Sequence, residues 1–108
     1  MYGIEMDKNN TPLPPQNDIF SFSVRFNIML LLYINKKISS KDLQKLLDLT
    51  PGNLAHHLNK LLEEEYISIK QMLFSTRPMN VVHITEKGRK DFSIYLTKFK
   101  ELLRTLEI

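Results

Sequence analysis

Thr50 followed by Pro51 marks where a helix must begin. A threonine hydroxyl accepts from the exposed amides at a helix start. Proline suits the first helical position, where no amide proton is needed and its fixed φ is already helical. A helix therefore begins at Pro51, and its apolar spacing carries it to about Glu65. Upstream, Ser39 with Asp42 three residues later has the form of a capping box. It opens a short helix over about 40–47, with Leu43, Leu46 and Leu47 expected inward. Only Asp48-Leu49-Thr50 separates the two helices, so they are joined by a tight turn. On a 3.6-residue wheel Leu54, Leu58, Leu61 and Leu62 share one face of the later helix. Gly52, Asn53, Ala55, His56, Asn59 and Lys60 are left facing outward.

The segments around this pair read as follows. A first helix starts near Ser21 or Ser23 and runs to about Asn35, ended by Lys36 and Lys37, which complement its negative dipole end. It is apolar nearly all round, from Val24 and Phe26 through Ile28 to Ile34. A surface helix of a small monomer shows one apolar stripe, so this one asks for a dimer partner. Tyr66 to Met72 alternates as a strand, Val81 to Ile84 forms a second, and Leu73 to Asn80, with Arg77-Pro78, connects them. Thr85 caps a last helix that runs to the C-terminus. Its Phe92, Tyr95, Leu96, Phe99, Leu102, Leu103 and Leu106 follow the three-four spacing of a coiled-coil seam. At about 1.5 Å per residue this helix is about 36 Å long, and its distal half needs a partner. The predicted dimer interface is Phe26, Met29, Leu30, Tyr33, Phe99, Leu102, Leu103 and Leu106.

Composition bounds the rest. A chain of 108 residues holds one domain. It divides into a flexible N-terminal arm over 1–18, rich in Asn and Pro, and a folded domain over 19–108. The absence of cysteine excludes disulfides, thiolate metal sites and a cysteine nucleophile. The longest apolar run, Ile28 to Ile34, is about a third of a membrane span, and the N-terminal residues lack the pattern of a signal peptide. The expectation is a cytoplasmic protein with no membrane contact. Net charge is +3, unevenly spread. Residues 1–18 balance to −2, residues 25–90 hold eleven Lys or Arg against six Asp or Glu, and residues 91–108 balance to zero. The positive middle is where an anionic partner would dock.

The run of motifs from Ile38-Ser39-Ser40-Lys41-Asp42-Leu43 through Leu49-Thr50-Pro51-Gly52-Asn53-Leu54-Ala55-His56-His57-Leu58-Asn59-Lys60-Leu61 to Glu64-Glu65-Tyr66-Ile67 resembles the winged-helix transcriptional regulators related to the MarR and ArsR families. Arg77-Pro78 before the second strand and Ile84-Thr85-Glu86-Lys87-Gly88-Arg89 after it resemble the same group. The likeness spans roughly residues 22–105. It implies a mainly α fold with a small β-hairpin: a winged helix-turn-helix with a long C-terminal dimerisation helix, and the third helix as the reader of double-stranded DNA.

The residues themselves support that use. A helix fits the major groove, where base edges present distinct donors and acceptors. Asn53 and Asn59 can read adenine-like edges, His56 can donate or accept, Lys60 suits phosphate or guanine, and Gly52 and Ala55 permit close approach. Lys41, Thr50, His57, Lys70 and Arg77 are the predicted backbone or wing contacts, Arg77 at the hairpin being suited to a narrow minor groove. His56 and His57 are adjacent on a helix and point about 100° apart, which disfavours a shared metal ion. No metal, cofactor or catalytic constellation is expected. A sequence-specific homodimeric regulator is the function these features predict. A protein–protein winged-helix module is the alternative of a different class, and whether a small-molecule effector exists is not readable.

Overall fold

The structure is a computed structural model that describes residues 19–74 and 77–106. The arm expected over 1–18 lies outside the described residues. Three helix starts rest on hydroxyl caps. Ser39 Oγ accepts from the amide of Asp42 at 3.1 Å, opening α2 (Ser40–Leu47). Thr50 Oγ1 accepts from Asn53 at 3.1 Å, opening α3 (Pro51–Glu63). Thr85 Oγ1 accepts from Gly88 at 2.9 Å, opening α4 (Glu86–Thr105). Each cap satisfies an amide that the first helical turn leaves without a partner.

Non-glycine residues in the left-handed region turn the chain out of three helices. Lys36 (φ 71°) follows α1 (Ile19–Asn35), Asp48 (φ 54°) follows α2, and Glu65 (φ 63°) lies just past α3. Lys36 thus acts through its backbone conformation. Lys37, expected to close the helix with it, instead begins a strand not foreseen from the sequence, β1 (Lys37–Ser39).

A three-stranded antiparallel sheet, in the order β1-β3-β2, completes the fold with β2 (Ile67–Phe74) and β3 (Arg77–Ile84). Lys37, Ile38 and Ser39 pair with His83, Val82 and Val81. The β2–β3 ladder runs from Ile67↔Ile84 out to Phe74↔Arg77. Leu73, Phe74 and Arg77 to Asn80 therefore belong to the strands, which makes the hairpin longer and its connection shorter than the sequence suggested. This is a winged helix-turn-helix with a long C-terminal helix, as the order of motifs implied.

The core lies between α1, α3, the base of the sheet and the start of α4. Ile28, Leu32, Leu43 and Val82 are fully buried, joined by Leu54, Leu58, Leu61, Ile67 and Phe92. Here α1 is the central helix, touching α2, α3, α4, β1 and β3. That position covers most of its apolar surface within the protomer, with Ile34 at its end 67% exposed. Met29, assigned to a dimer interface, is 4% exposed and belongs to the protomer's own core. Leu46, expected inward, is 62% exposed, because α2 turns that face away from α1 and α3.

The end of α3 is tied to the start of α4. Thr85 donates its amide to Tyr66 O (3.0 Å) and its hydroxyl to Glu65 O (2.7 Å), and Lys87 Nζ donates to Glu64 O (2.8 Å). Gly88 is the only residue type that fits there, since a Cβ would run into the carbonyl of Tyr66. Beyond this anchor, α4 lies along α1 through rings: Phe26 sits 5.6 Å from Phe92, 5.8 Å from Tyr95 and 5.3 Å from Phe99, centroid to centroid. Past Phe99 the helix runs on with Leu102, Leu103 and Leu106 exposed. No helix among the described residues is long and apolar enough to cross a membrane.

Candidate nucleic-acid interface

Burying Leu54, Leu58 and Leu61 orients α3 and turns its other side to solvent. Gly52, Asn53, Ala55, His56, Asn59 and Lys60, the six residues predicted to read bases, are all exposed on this one helix. Its N-terminus is open too, with Thr50, Pro51 and Gly52 exposed beside amides that carry the positive end of the helix dipole. A row of small and amide-bearing side chains with a cation at one end can approach base edges closely, donate and accept there, and touch phosphate.

The structure adds neighbours that periodicity did not reveal. Ser40 and Gln44 from α2, and Ile69 and Asn80 from the base of the wing, meet Ala55 and Asn59 around a cleft of about 260 Å³. Ser40 and Gln44 are four residues apart on one helix face, which was a readable signal. The approach of Asn80 depends on strand pairing, which was not.

The predicted backbone contacts divide. Lys41, Thr50, Lys70 and Arg77 are exposed, Lys41 near the start of α2 and Thr50 capping α3. Lys70 and Arg77 lie on the wing, but the pleat and the ladder put them on the sheet face away from the α3 cleft. His57 departs from the expectation. It is 6% exposed, and its Nδ1 accepts from Nη1 of Arg25 at 3.1 Å. Arginine has no acceptor, so His57 is neutral with its proton on Nε2. Burial first, then the charge of Arg25, then His56 push its pKa below the ordinary histidine value. His57 holds α3 to α1 and is not presented to an outside partner.

On the far side of Arg25, a cavity of about 450 Å³ opens between α1, the end of α3 and the start of α4, walled mainly by Phe26, Met29, Tyr66, Phe92 and Tyr95. Burial first, then the charge of neighbouring Asp91, raise the Tyr66 pKa above the ordinary tyrosine value.

Of the predicted dimer residues, Phe26, Leu30 and Tyr33 are half-buried against the protomer's own core, Tyr33 carrying the Arg89 guanidinium 5.1 Å above its ring. Phe99, Leu102, Leu103 and Leu106 are exposed on α4 at 36%, 65%, 39% and 50%. Ile94 and Tyr95, also exposed, were not among the predicted interface residues.

Known proteins share this architecture. The chain is similar to an uncharacterized protein of Methanocaldococcus jannaschii, 36% identical over 89 residues that cover 82% of this chain and 97% of that protein. Its fold is similar to a transcriptional regulator homologue from Pyrococcus horikoshii OT3, with a TM-score of 0.74 and 31% identity over 86% of this chain and 92% of that one. It is also similar to a MarR transcriptional regulator from Methanosarcina mazei Go1, with a TM-score of 0.58 and 27% identity, covering 77% of this chain and 56% of that one. The family model described as a winged helix DNA-binding domain matches residues 24–103. With an exposed polar face on α3, a hairpin wing beside it and a match over most of its length, the chain belongs to the winged helix DNA-binding domain family.

Proposed function

We propose that this protein is a sequence-specific, homodimeric transcriptional regulator of the cytoplasm that acts by binding DNA and not by catalysis. The observation that carries this reading is the row Asn53, His56, Asn59 and Lys60, exposed over a helix whose opposite face is locked by Leu54, Leu58 and Leu61. Such a helix enters the major groove with its polar row on base edges, while the wing lies along the adjacent minor groove or backbone. Lys41 and the open N-terminus of α3 serve phosphate, adding affinity without sequence information.

The exposed stripe of Tyr95, Phe99, Leu102, Leu103 and Leu106 on α4 supports self-association. Two copies pairing there would present two α3 helices to two half-sites about one DNA turn, 34–36 Å, apart. The experiment is enrichment of binding sequences from random duplexes by the full-length protein, followed by titration of the winning duplex and a scrambled one. A preferred site with two-fold repeated halves is expected. Binding to no duplex at low salt would leave a protein-interaction role as the better account.

A further inference from the structure

The two faces of the wing differ at its outer end: both cations of the ribbon share one face with Met72, Met79 and Val81, and the other face carries no charge. In the β2–β3 ladder Lys70 and Arg77 fall on one side, while Ile69, Leu73, Pro78 and Asn80 fall on the other. The second side is the one that continues from α3, since Ile69 and Asn80 wall the cleft that Ala55 and Asn59 also line. Farther out on that face Leu73 pairs directly with Pro78. Both are exposed, Leu73 to 74%. A leucine and a proline thus stand at the outer end of the ribbon, where a wing that binds only by charge would carry basic residues.

From the reading of α3 as the base-contacting helix, on which this inference rests, we propose that the Leu73–Pro78 pair is an apolar wedge for the DNA minor groove. The distance suits it. Leu73 lies four residues beyond Ile69, about 13 Å at about 3.3 Å per residue. Adjacent major and minor grooves are separated by about half a turn, ~17 Å. The chemistry suits it as well: leucine and proline are side chains that insert at base steps, unstack them partly and bend the duplex toward the major groove. Arg77, on the other face of the same ribbon end, is left to meet the phosphates of the groove wall. The wing contact then has two separable parts, one indifferent to salt and one governed by it.

The test uses the full-length protein, a duplex selected by the wild type, and the variants Leu73→Ser, Pro78→Ala and Arg77→Gln. Affinity is read by anisotropy over a salt series, and DNA bending by energy transfer between labelled duplex ends. Leu73→Ser should weaken binding by about tenfold at every salt concentration, as loss of a buried leucine contact would. It should leave the slope of log affinity against log salt unchanged and should reduce the bend, and Pro78→Ala should act in the same direction. Arg77→Gln should instead lower the slope by about 0.9 for each protomer in contact. A Leu73→Ser protein with wild-type affinity and bend overturns the wedge. So does one whose salt slope drops as it does for Arg77→Gln, or one whose sedimentation without DNA changes, which would assign the pair to another protein surface. If the wild type binds no duplex at all, the wedge and the function proposed for α3 fall together. If it binds a preferred site and Leu73 proves indifferent, only the wedge falls.

Discussion

Arg25 of α1 donates from Nη1 to Nδ1 of His57 in α3 across 3.1 Å, bridging thirty-two residues of sequence on the buried side of α3. The bond requires a neutral imidazole, since protonated Nδ1 would face a guanidinium with a proton instead of a lone pair. A titratable group therefore joins the buried leucines in holding α3 to the central helix.

Stability should in consequence fall in mild acid. The folded pKa of His57 lies below its unfolded value, about 6.5. Above that value both states are neutral and the contribution is complete. As pH falls through about 6.5 towards the folded pKa, the unfolded chain binds the proton first and the contribution is lost. Urea midpoints at about pH 7.5 and about pH 5.5 should differ more for the wild type than for His57→Gln, whose amide oxygen can still accept from Arg25. Parallel pH dependences would show that His57 is not the responsible group.

The two described helical glycines should respond to alanine in opposite ways. At Gly88 a Cβ meets the Tyr66 backbone, which cannot give without moving the end of α3. Gly88→Ala should destabilise by about 1–3 kcal/mol, as overpacking does. Nothing lies within 4 Å of a Cβ built on Gly52, so Gly52→Ala should stabilise by about 0.5–1 kcal/mol through helix propensity. The same variant should bind DNA less well, because the added methyl stands on the reading face. Thermal melts together with duplex titrations check both halves.

On the reading helix, Asn53→Ala and His56→Ala should each lower affinity for the selected duplex by a factor corresponding to about 1–3 kcal/mol. Binding to a scrambled duplex and the melting temperature should stay near wild type, since both side chains are exposed. Equal losses on the two duplexes would mean that α3 does not discriminate sequence.

Self-association should depend on the far half of α4. Leu102 and Leu106 are 65% and 50% exposed and lie beyond the aromatic contact with α1, so Leu102→Asp with Leu106→Asp should leave the fold intact. Sedimentation equilibrium should show a wild-type dimer and a monomeric double variant. A wild-type monomer at micromolar concentration would remove the dimer from the proposed function.

Much of this architecture was legible because its signals are local. Ser39, Thr50 and Thr85 cap amides three residues away, and Leu54, Leu58 and Leu61 declare a helix face by spacing alone, so α3 and its exposed polar row followed from sequence. The remainder depended on partners distant in the chain. Lys37 to Ser39 form a strand only because Val81 to His83 offer an edge, and the wing extends to Phe74 and Arg77 by pairing that no single segment reveals. His57 sits at the margin of the leucine face, where the helical wheel leaves its direction open, and Arg25 decided it. Met29 looked available to a second subunit because an apolar side chain reads the same whether its own domain or a partner covers it. Helix start and helix face are set by contacts within a turn or two. Burial, strand length and the face on which a wing residue emerges are set by whatever the rest of the chain brings alongside.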